Sequence, residues 1–408
     1  MTDEPGILVS AVYQPVYELE SGGVIGYEAL ARGPQGGELE RPDALLSAAR
    51  RAGLVSQVDW ECRLAAVSGA LDAGLDRSTT LFVNMEPEAV GGTANGDGRA
   101  PELWRRAEES LSVAVELPAA ALRSQPRELV RAADACRDRG WTVVLDDVGA
   151  DRDSLAVLPL VAPDAIKLDM RAASAAGSPA LADVATAVWA EQERTGAAIV
   201  AEGIETEAEL EQARGVGATL GQGWLWGRPG DIPDQSAQRE AGVASGLHPE
   251  QRRSAPSGTP FELLSAARPA RTGRVPLLTS MSRHLERAAR GIGAGAIVLA
   301  GFQDASRFAG RTRERYRKLA DEATLVAVLG AGIAAQPARG VHGTDVAEDD
   351  PLRREWSVVV LSPHYAAALV GRDRGDDVAD RERSFDFVLT HDRELVVAAA
   401  RSLAVRLS

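Results

Sequence analysis

From Val12 to about Trp226 the chain alternates short β-branched or apolar runs with longer amphipathic ones, and this alternation constrains the fold more than any other feature of the sequence. Runs of that kind, separated by segments with helical spacing, are the pattern of repeated β and α units. The predicted strands are Val12–Leu19, Val24–Ala31, Thr80–Met85, Ser112–Leu117, Thr142–Asp147, Ala165–Asp169, Ala197–Glu202 and Ala218–Gly223. Between them Val58–Ala73, Arg127–Arg139 and Ala180–Arg194 carry Leu, Val and Ala at helical spacing. Glu20-Ser-Gly-Gly parts the first two strands and reads as a hairpin turn, too short for a crossover. The expectation is an α/β fold: a (β/α)8 barrel of the TIM type, modified at its start by an antiparallel hairpin.

The stretch 232–258 breaks the pattern with Pro, Ser, Gly, Gln and Arg, and is read as a linker. Beyond it, residues 259–408 resume α/β alternation: helices at Val275–Ala289 and Thr312–Ala323, strands at Ala296–Phe302, Leu325–Leu329 and Trp356–Ser362, and a closing helix near Arg393–Leu407. With 408 residues and roughly 100–200 residues per domain, two domains are expected. Gly330-Ala-Gly332-Ile-Ala-Ala335 superficially fits a dinucleotide fingerprint, but Pro337 would interrupt the helix that must follow, so an ordinary turn is expected. Asp345–Asp350 and Arg372–Arg383 read as solvated, charge-rich loops.

Charge and composition exclude several functions. A formal net charge of −14 disfavours general binding to nucleic acid, which needs clustered Lys and Arg, so no DNA partner is expected. No uncharged apolar run is long enough for a membrane helix, and the start of the chain lacks the basic and apolar segments of a secretion signal. Cys62 and Cys136, each in a helix-like segment, fit free thiols of a reducing cytoplasm. All five histidines lie in the second half, which excludes His-ligated zinc and His-based triads from the first.

Chemistry is instead offered by the residues that end the strands of the first half: Glu28, Asn84, Glu116, Asp146 with Asp147, Lys167, Glu202 and Gln222. In a barrel, strand ends converge on one rim, so these side chains would meet as a ring of oxygen donors. Such a ring selects hard ions such as Mg2+ or Mn2+. One acid alone would be read as a solvated strand end or a helix cap; seven successive polar ends are a site.

The ordered set of strand-end motifs resembles the EAL family of cyclic di-GMP phosphodiesterases, over residues 8–231. Tyr27-Glu28-Ala29-Leu30-Ala31-Arg32 looks like the family's signature, preceded by Gln14-Pro15 and followed by Asn84, Val115-Glu116-Leu117, Leu145-Asp146-Asp147-Val148-Gly149, Ala165-Ile166-Lys167-Leu168-Asp169, Ala201-Glu202-Gly203 and Gln222-Gly223. The resemblance implies hydrolysis of cyclic di-GMP to linear pGpG with two divalent metal ions, Mg2+ or Mn2+. Glu28, Asn84, Glu116 and Asp146 would hold one ion and Asp146 with Asp147 the second, with Gln222 completing the metal or water shell. Lys167 and Glu202 would orient and deprotonate the attacking water, and Gln14, Leu30 and Arg32 would contact the substrate. It also leaves room for a homodimer through the barrel.

Two departures from that pattern stand out. Ala119 replaces a second Glu three residues after Glu116, and Asp151 replaces a Gly in the loop after the paired Asp residues. They leave Asp147 less firmly braced, which implies slow or tightly controlled turnover, or else a cyclic di-GMP receptor that signals without hydrolysis. Residues 259–408 are similar to the DICT sensory domain through Leu277–Glu286, Leu299–Gln303, Thr312–Tyr316 and Glu355–Trp356, and are expected to regulate the barrel in response to an unknown signal or protein partner.

Overall fold

The computed structural model describes residues 9–89, 99–151, 153–175, 178–233, 247 and 258–408. The chain divides into two compact units, Met1–Ala119 with Ala132–Ala150 and Pro163–Arg253, and Ala120–Arg131 with Asp151–Ala162 and Ser254–Ser408. Of the stretch 232–258, all but 232, 233, 247 and 258 lie outside the described residues.

The first unit carries a closed eight-stranded barrel: β1 Ser10–Glu18, β2 Val24–Arg32, β3 Thr80–Asn84, β4 Ser112–Pro118, β5 Thr142–Val148, β6 Ala165–Asp169, β7 Ala198–Glu202 and β8 Leu220–Gly221. Strands β2 to β8 pair in parallel order. Strand β1 is antiparallel to both neighbours: the turn at Gly22, with φ 71°, sends it back along β2, and Tyr17 and Glu18 pair with Gly221 and Leu220 to close the barrel. The modified first hairpin and the closed α/β barrel thus agree with the reading of the sequence. The last strand is shorter than Ala218–Gly223, because only Leu220 and Gly221 hold ladder pairs.

Side chains alternate across each strand, so every second residue enters the lumen. One buried layer there consists of Val16, Ile25, Phe82, Ala114, Val144, Ala165, Val200 and Leu220, one from each strand. Gly26 sits beside this layer. A Cβ at Gly26 would lie 2.3 Å from the Thr80 carbonyl and 2.9 Å from the Phe82 ring, so only glycine lets β2 approach β3 this closely.

The second unit holds a seven-stranded sheet in the order β12, β11, β10, β13, β14, β15, β9, with β9 Arg271–Arg274, β10 Ile297–Asp304, β11 Leu325–Ala331, β12 His342–Asp345, β13 Glu355–Leu361, β14 Ala366–Asp373 and β15 Ser384–Thr390. Four of these strands escape the sequence reading. Arg271-Thr-Gly-Arg274 has no apolar alternation, Ala366–Leu369 is alanine-rich, and neither β12 nor β15 stands out from its polar flanks. One correction and one agreement follow. Arg372 and Asp373 end a central strand, and Asp373 and Arg383 form a half-buried ion pair, so Arg372–Arg383 is not simply a solvated loop. After β11 the chain turns at Gly332, with φ 70°, its N–H donating to Asp345 Oδ1, and no helix follows to receive a pyrophosphate.

Substituting Gly26→Ala will wedge β2 away from β3. Overpacking of this kind costs about 1–3 kcal/mol, or roughly 2–4 °C of melting temperature per kcal/mol in a domain of this size. Thermal unfolding followed by circular dichroism should show that loss, and an unchanged melting curve would contradict the close approach.

Candidate functional site

The same alternation that fills the lumen builds the site. Two positions beyond Phe82, Ala114, Val144, Ala165, Val200 and Leu220 stand Asn84, Glu116, Asp146, Lys167, Glu202 and Gln222, and two beyond Gly26 stands Glu28. Each polar group therefore shares a face with its apolar predecessor, and the seven form a second layer at the C-terminal rim. Below them is hydrocarbon, which leaves their charges to be balanced within the layer.

Lys167 lies at the centre of this layer, 1% exposed. Its Nζ is 2.8 Å from Glu116 Oε1, 2.8 Å from Glu202 Oε1, 3.1 Å from Glu28 Oε2 and 3.6 Å from Asp146 Oδ1. Glu28 also accepts from Gln222 Nε2 at 2.7 Å and from Asn84 Nδ2 at 3.4 Å. One oxygen each from Asp146, Asp147 and Glu202 lies within 4.8 Å of the others. Glu116, 1% exposed, accepts no hydrogen bond of regular geometry at either carboxylate oxygen despite its closeness to Lys167.

One ammonium does not neutralise five carboxylates, and proton affinities show the deficit. Burial pushes the Glu116 carboxyl well above the usual range, Glu28 adds to the push, and Lys167 offsets only part of it. Burial raises Glu202 to about 8, against the pull of Lys167. Asp147 rises to about 6 through burial and then the neighbouring Asp146 charge. Burial also opposes ionisation of Glu28, but there Lys167 and the Gln222 hydrogen bond outweigh it and hold the pKa low. For Lys167, burial favours the neutral amine, yet Asp146, Glu116, Glu202 and Glu28 together raise its pKa well above the ordinary value. A rim of oxygen donors with surplus negative charge around a buried Glu116–Lys167 ion pair fits hard divalent cations.

The end of β5 departs from regular pairing. Its register against β6 shifts between Leu145 and Val148, which turns two successive residues, Asp146 and Asp147, into the rim. Asp147 takes the left-handed conformation, φ 57°, and its N–H donates to Asp146 Oδ1 at 2.9 Å. Strain of that kind is tolerated by Asp better than by most residues and clusters at functional positions. Asp151, where the resemblance has a Gly, accepts at its Oδ1 from the Ser154 N–H at 2.7 Å, at the start of the short helix Asp153–Val157. Ala119 is buried, and its N–H donates to the Asp146 carbonyl.

The remaining candidates lie on the hairpin. Gln14 pairs in register with Glu28 and donates weakly to the Gly227 carbonyl, 3.4 Å away. Leu30 and Arg32 follow Glu28 at alternate positions of β2 and are half-buried; Arg32 donates to its neighbouring carbonyl, Ala31, and makes none of the contacts that bind the carboxylates together. Two features were not singled out from sequence. Asp169 ends β6 in register with Glu202, contributes to raising Asp147, and accepts from the Ala172 N–H at 2.9 Å; its position after Lys167-Leu168 was a legible strand end. Trp224, 51% exposed, stands two residues beyond Gln222 with the Arg228 guanidinium 4.2 Å from its ring centre, a contact that spacing alone does not reveal.

Comparison with known proteins gives this arrangement a family. The EAL domain family model matches residues 8–229, more than half of the chain, and the model for the sensory domain in diguanylate cyclases and two-component systems, DICT, matches residues 263–374. The chain is 28% identical over 229 residues to the cyclic di-GMP phosphodiesterase RocR of Pseudomonas aeruginosa, covering 55% of this chain and 58% of that protein. It is 30% identical over 223 residues to the cyclic di-GMP phosphodiesterase NbdA of the same organism, covering 53% of this chain and 28% of that protein. Klebsiella pneumoniae BlrP1, solved with manganese and cyclic di-GMP, aligns at 26% identity with a TM-score of 0.47, over 56% of this chain and 57% of that one. The chain thus spans less than two thirds of the curated relatives it matches. It belongs to the EAL domain family and carries a DICT sensory domain after its EAL domain.

Proposed function

We propose that the protein hydrolyses cyclic di-GMP to linear pGpG at the barrel rim, and that the convergence of five carboxylates and Lys167 in one layer carries this reading. Two divalent cations, Mg2+ or Mn2+, would be held by Glu28, Asn84, Glu116, Asp146, Asp147 and Gln222. When bound there they supply Lewis-acid polarisation and a lowered water pKa.

The rest of the chemistry belongs to the chain. Lys167 presents a fixed positive charge to the phosphate as negative charge develops on it, in a site that already excludes water from one side. Cation charge beside it would offset the burial that raises its proton affinity, and Glu202, adjoining Lys167 and keeping 22% of its side chain exposed, would then receive the proton of the attacking water. Arg32, with the planar fork suited to a phosphate, positions the nucleotide together with Gln14 and Leu30. The water oxygen bonds to phosphorus as one P–O bond to ribose breaks, the released ribose oxygen takes up the proton that Glu202 received, and the opened dinucleotide leaves.

Regulation by the DICT domain, assembly through the barrel, a cytoplasmic setting and a domain division at 8–231 and 259–408 belong to the same proposal. Among the described residues no helix is long and apolar enough to cross a membrane.

Incubation of the purified chain with cyclic di-GMP and Mg2+ or Mn2+, with products resolved by chromatography, should yield linear pGpG. Nucleotide that binds but stays intact would replace this reading with that of a receptor. Asp147→Gly separates fold from chemistry: release of the left-handed conformation should leave stability unchanged or raise it by up to about 1 kcal/mol. Turnover should at the same time fall by about 100-fold or more as a cation ligand is lost. A variant that keeps wild-type turnover would remove Asp147 from the site.

A further inference from the structure

The helix Val275–Ile292 in the second unit has a buried stripe of Leu278, Ser282, Leu285, Glu286 and Ala289. Leu278, Leu285 and Ala289 belong to the unit's apolar core. Ser282 and Glu286, one turn apart on the same stripe, are 4% and 2% exposed, and a polar pair at core positions is unfavourable unless it faces something other than packed hydrocarbon. Here it faces a cavity of about 190 Å³ between this helix and the sheet. Glu286 is met there by the Arg315 guanidinium. Ser282 Oγ, although buried, has no hydrogen-bond partner among the described residues. A buried hydroxyl left unbonded on a cavity wall is an unfilled recognition position.

The rest of the lining defines what would fill it. Phe302, Trp356 and Phe385 supply aromatic surface, with Trp356 and Phe385 edge to face at 5.8 Å between ring centres. Four arginines, Arg283, Arg307, Arg315 and Arg383, line the cavity against two carboxylates, Glu286 and Asp380. Arg315 is paired with Glu286, which leaves the edge of the cavity as the place where an added anion would find a guanidinium. Arg307 and Arg383 are held by Asp380 and Asp373, whereas Arg283 stands exposed at the edge. In volume the cavity exceeds by about a quarter the ~150 Å³ space that accommodates benzene, which admits one ring with a substituent and excludes a dinucleotide.

We propose that this cavity is a ligand site of the sensory domain for a single-ring aromatic carboxylate. The ring lies among Phe302, Trp356 and Phe385, the carboxylate meets Arg283 at the edge, and a polar ring substituent pairs with Ser282 Oγ.

The test is calorimetric titration of the full chain with benzoate and 4-hydroxybenzoate, alongside benzamide, benzylamine and inorganic phosphate. Benzoate and 4-hydroxybenzoate should bind saturably, each at least about tenfold more tightly than benzamide, benzylamine or phosphate, because charge-assisted bonds to guanidinium exceed neutral ones. Ser282→Leu, which fills the cavity, should abolish binding. Arg283→Glu, at an exposed position that the fold does not depend on, should weaken it by about tenfold or more. Absence of saturation by either acid overturns the proposal, as does equal binding of benzamide or phosphate, or Arg283→Glu binding like wild type. The readout is binding in the second unit, so its failure is distinguishable from a failure to cleave cyclic di-GMP, which is measured separately on the same preparation.

Discussion

Five carboxylates share one rim with one ammonium, and most of what is distinctive in the barrel follows from that imbalance. Burying a charge without compensation is far more costly than any single packing defect, so buried Glu28 and Glu116, crowded by half-buried Asp146 and Glu202 and by Asp147 at the solvent-facing edge, have to be neutralised by protons, by Lys167 or by cations. Lys167 reaches four of the five and is the reason that Glu28 ionises readily in its 7% exposed position. Glu116, Glu202 and Asp147 carry the remainder as raised proton affinities. In the proposed reading, divalent cations take over that remainder, and the stability of the ion-loaded site and its chemistry have the same electrostatic origin.

This layer was legible because the strand period is two. Once Phe82, Ala114, Val144, Ala165, Val200 and Leu220 are read as lumen residues, the polar residues two positions on must emerge on the same face, and no other periodicity brings them together. The hairpin was equally legible from Gly22-Gly23. What the sequence did not reveal is local and conformational. The register shift in β5 and the left-handed Asp147 depend on how β5 meets β6, and the bond from the Ser154 N–H to Asp151 depends on the local turn that follows. In the second unit, the edge strand at Arg271–Arg274 was missed because it carries no apolar side chain, while Ala366–Leu369, inside the sheet, favours helix by composition and becomes a strand through its ladders with β13 and β15.

The second unit handles buried charge differently. Glu355, fully buried, accepts from the Thr259 hydroxyl at 2.5 Å and the Phe261 N–H at 3.1 Å, and meets Arg372 at 3.1 Å. Every donor there comes from the chain itself, which marks a structural network that fastens the helix Pro260–Ala267 to the sheet. The cavity beside Ser282 lacks that completeness, and the barrel rim holds more carboxylates than its one ammonium balances.

The central claim, that the rim's surplus negative charge is a cation site, is tested most directly by Mn2+ binding followed by electron paramagnetic resonance. Titration of the metal-free protein should remove the free-ion signal saturably, with two ions per chain at the plateau. The single substitution Glu116→Gln, which keeps side-chain volume and removes one buried charge, should weaken that uptake by about 10–100-fold. Undiminished Mn2+ uptake by Glu116→Gln, or no uptake by the wild-type chain, would contradict the account.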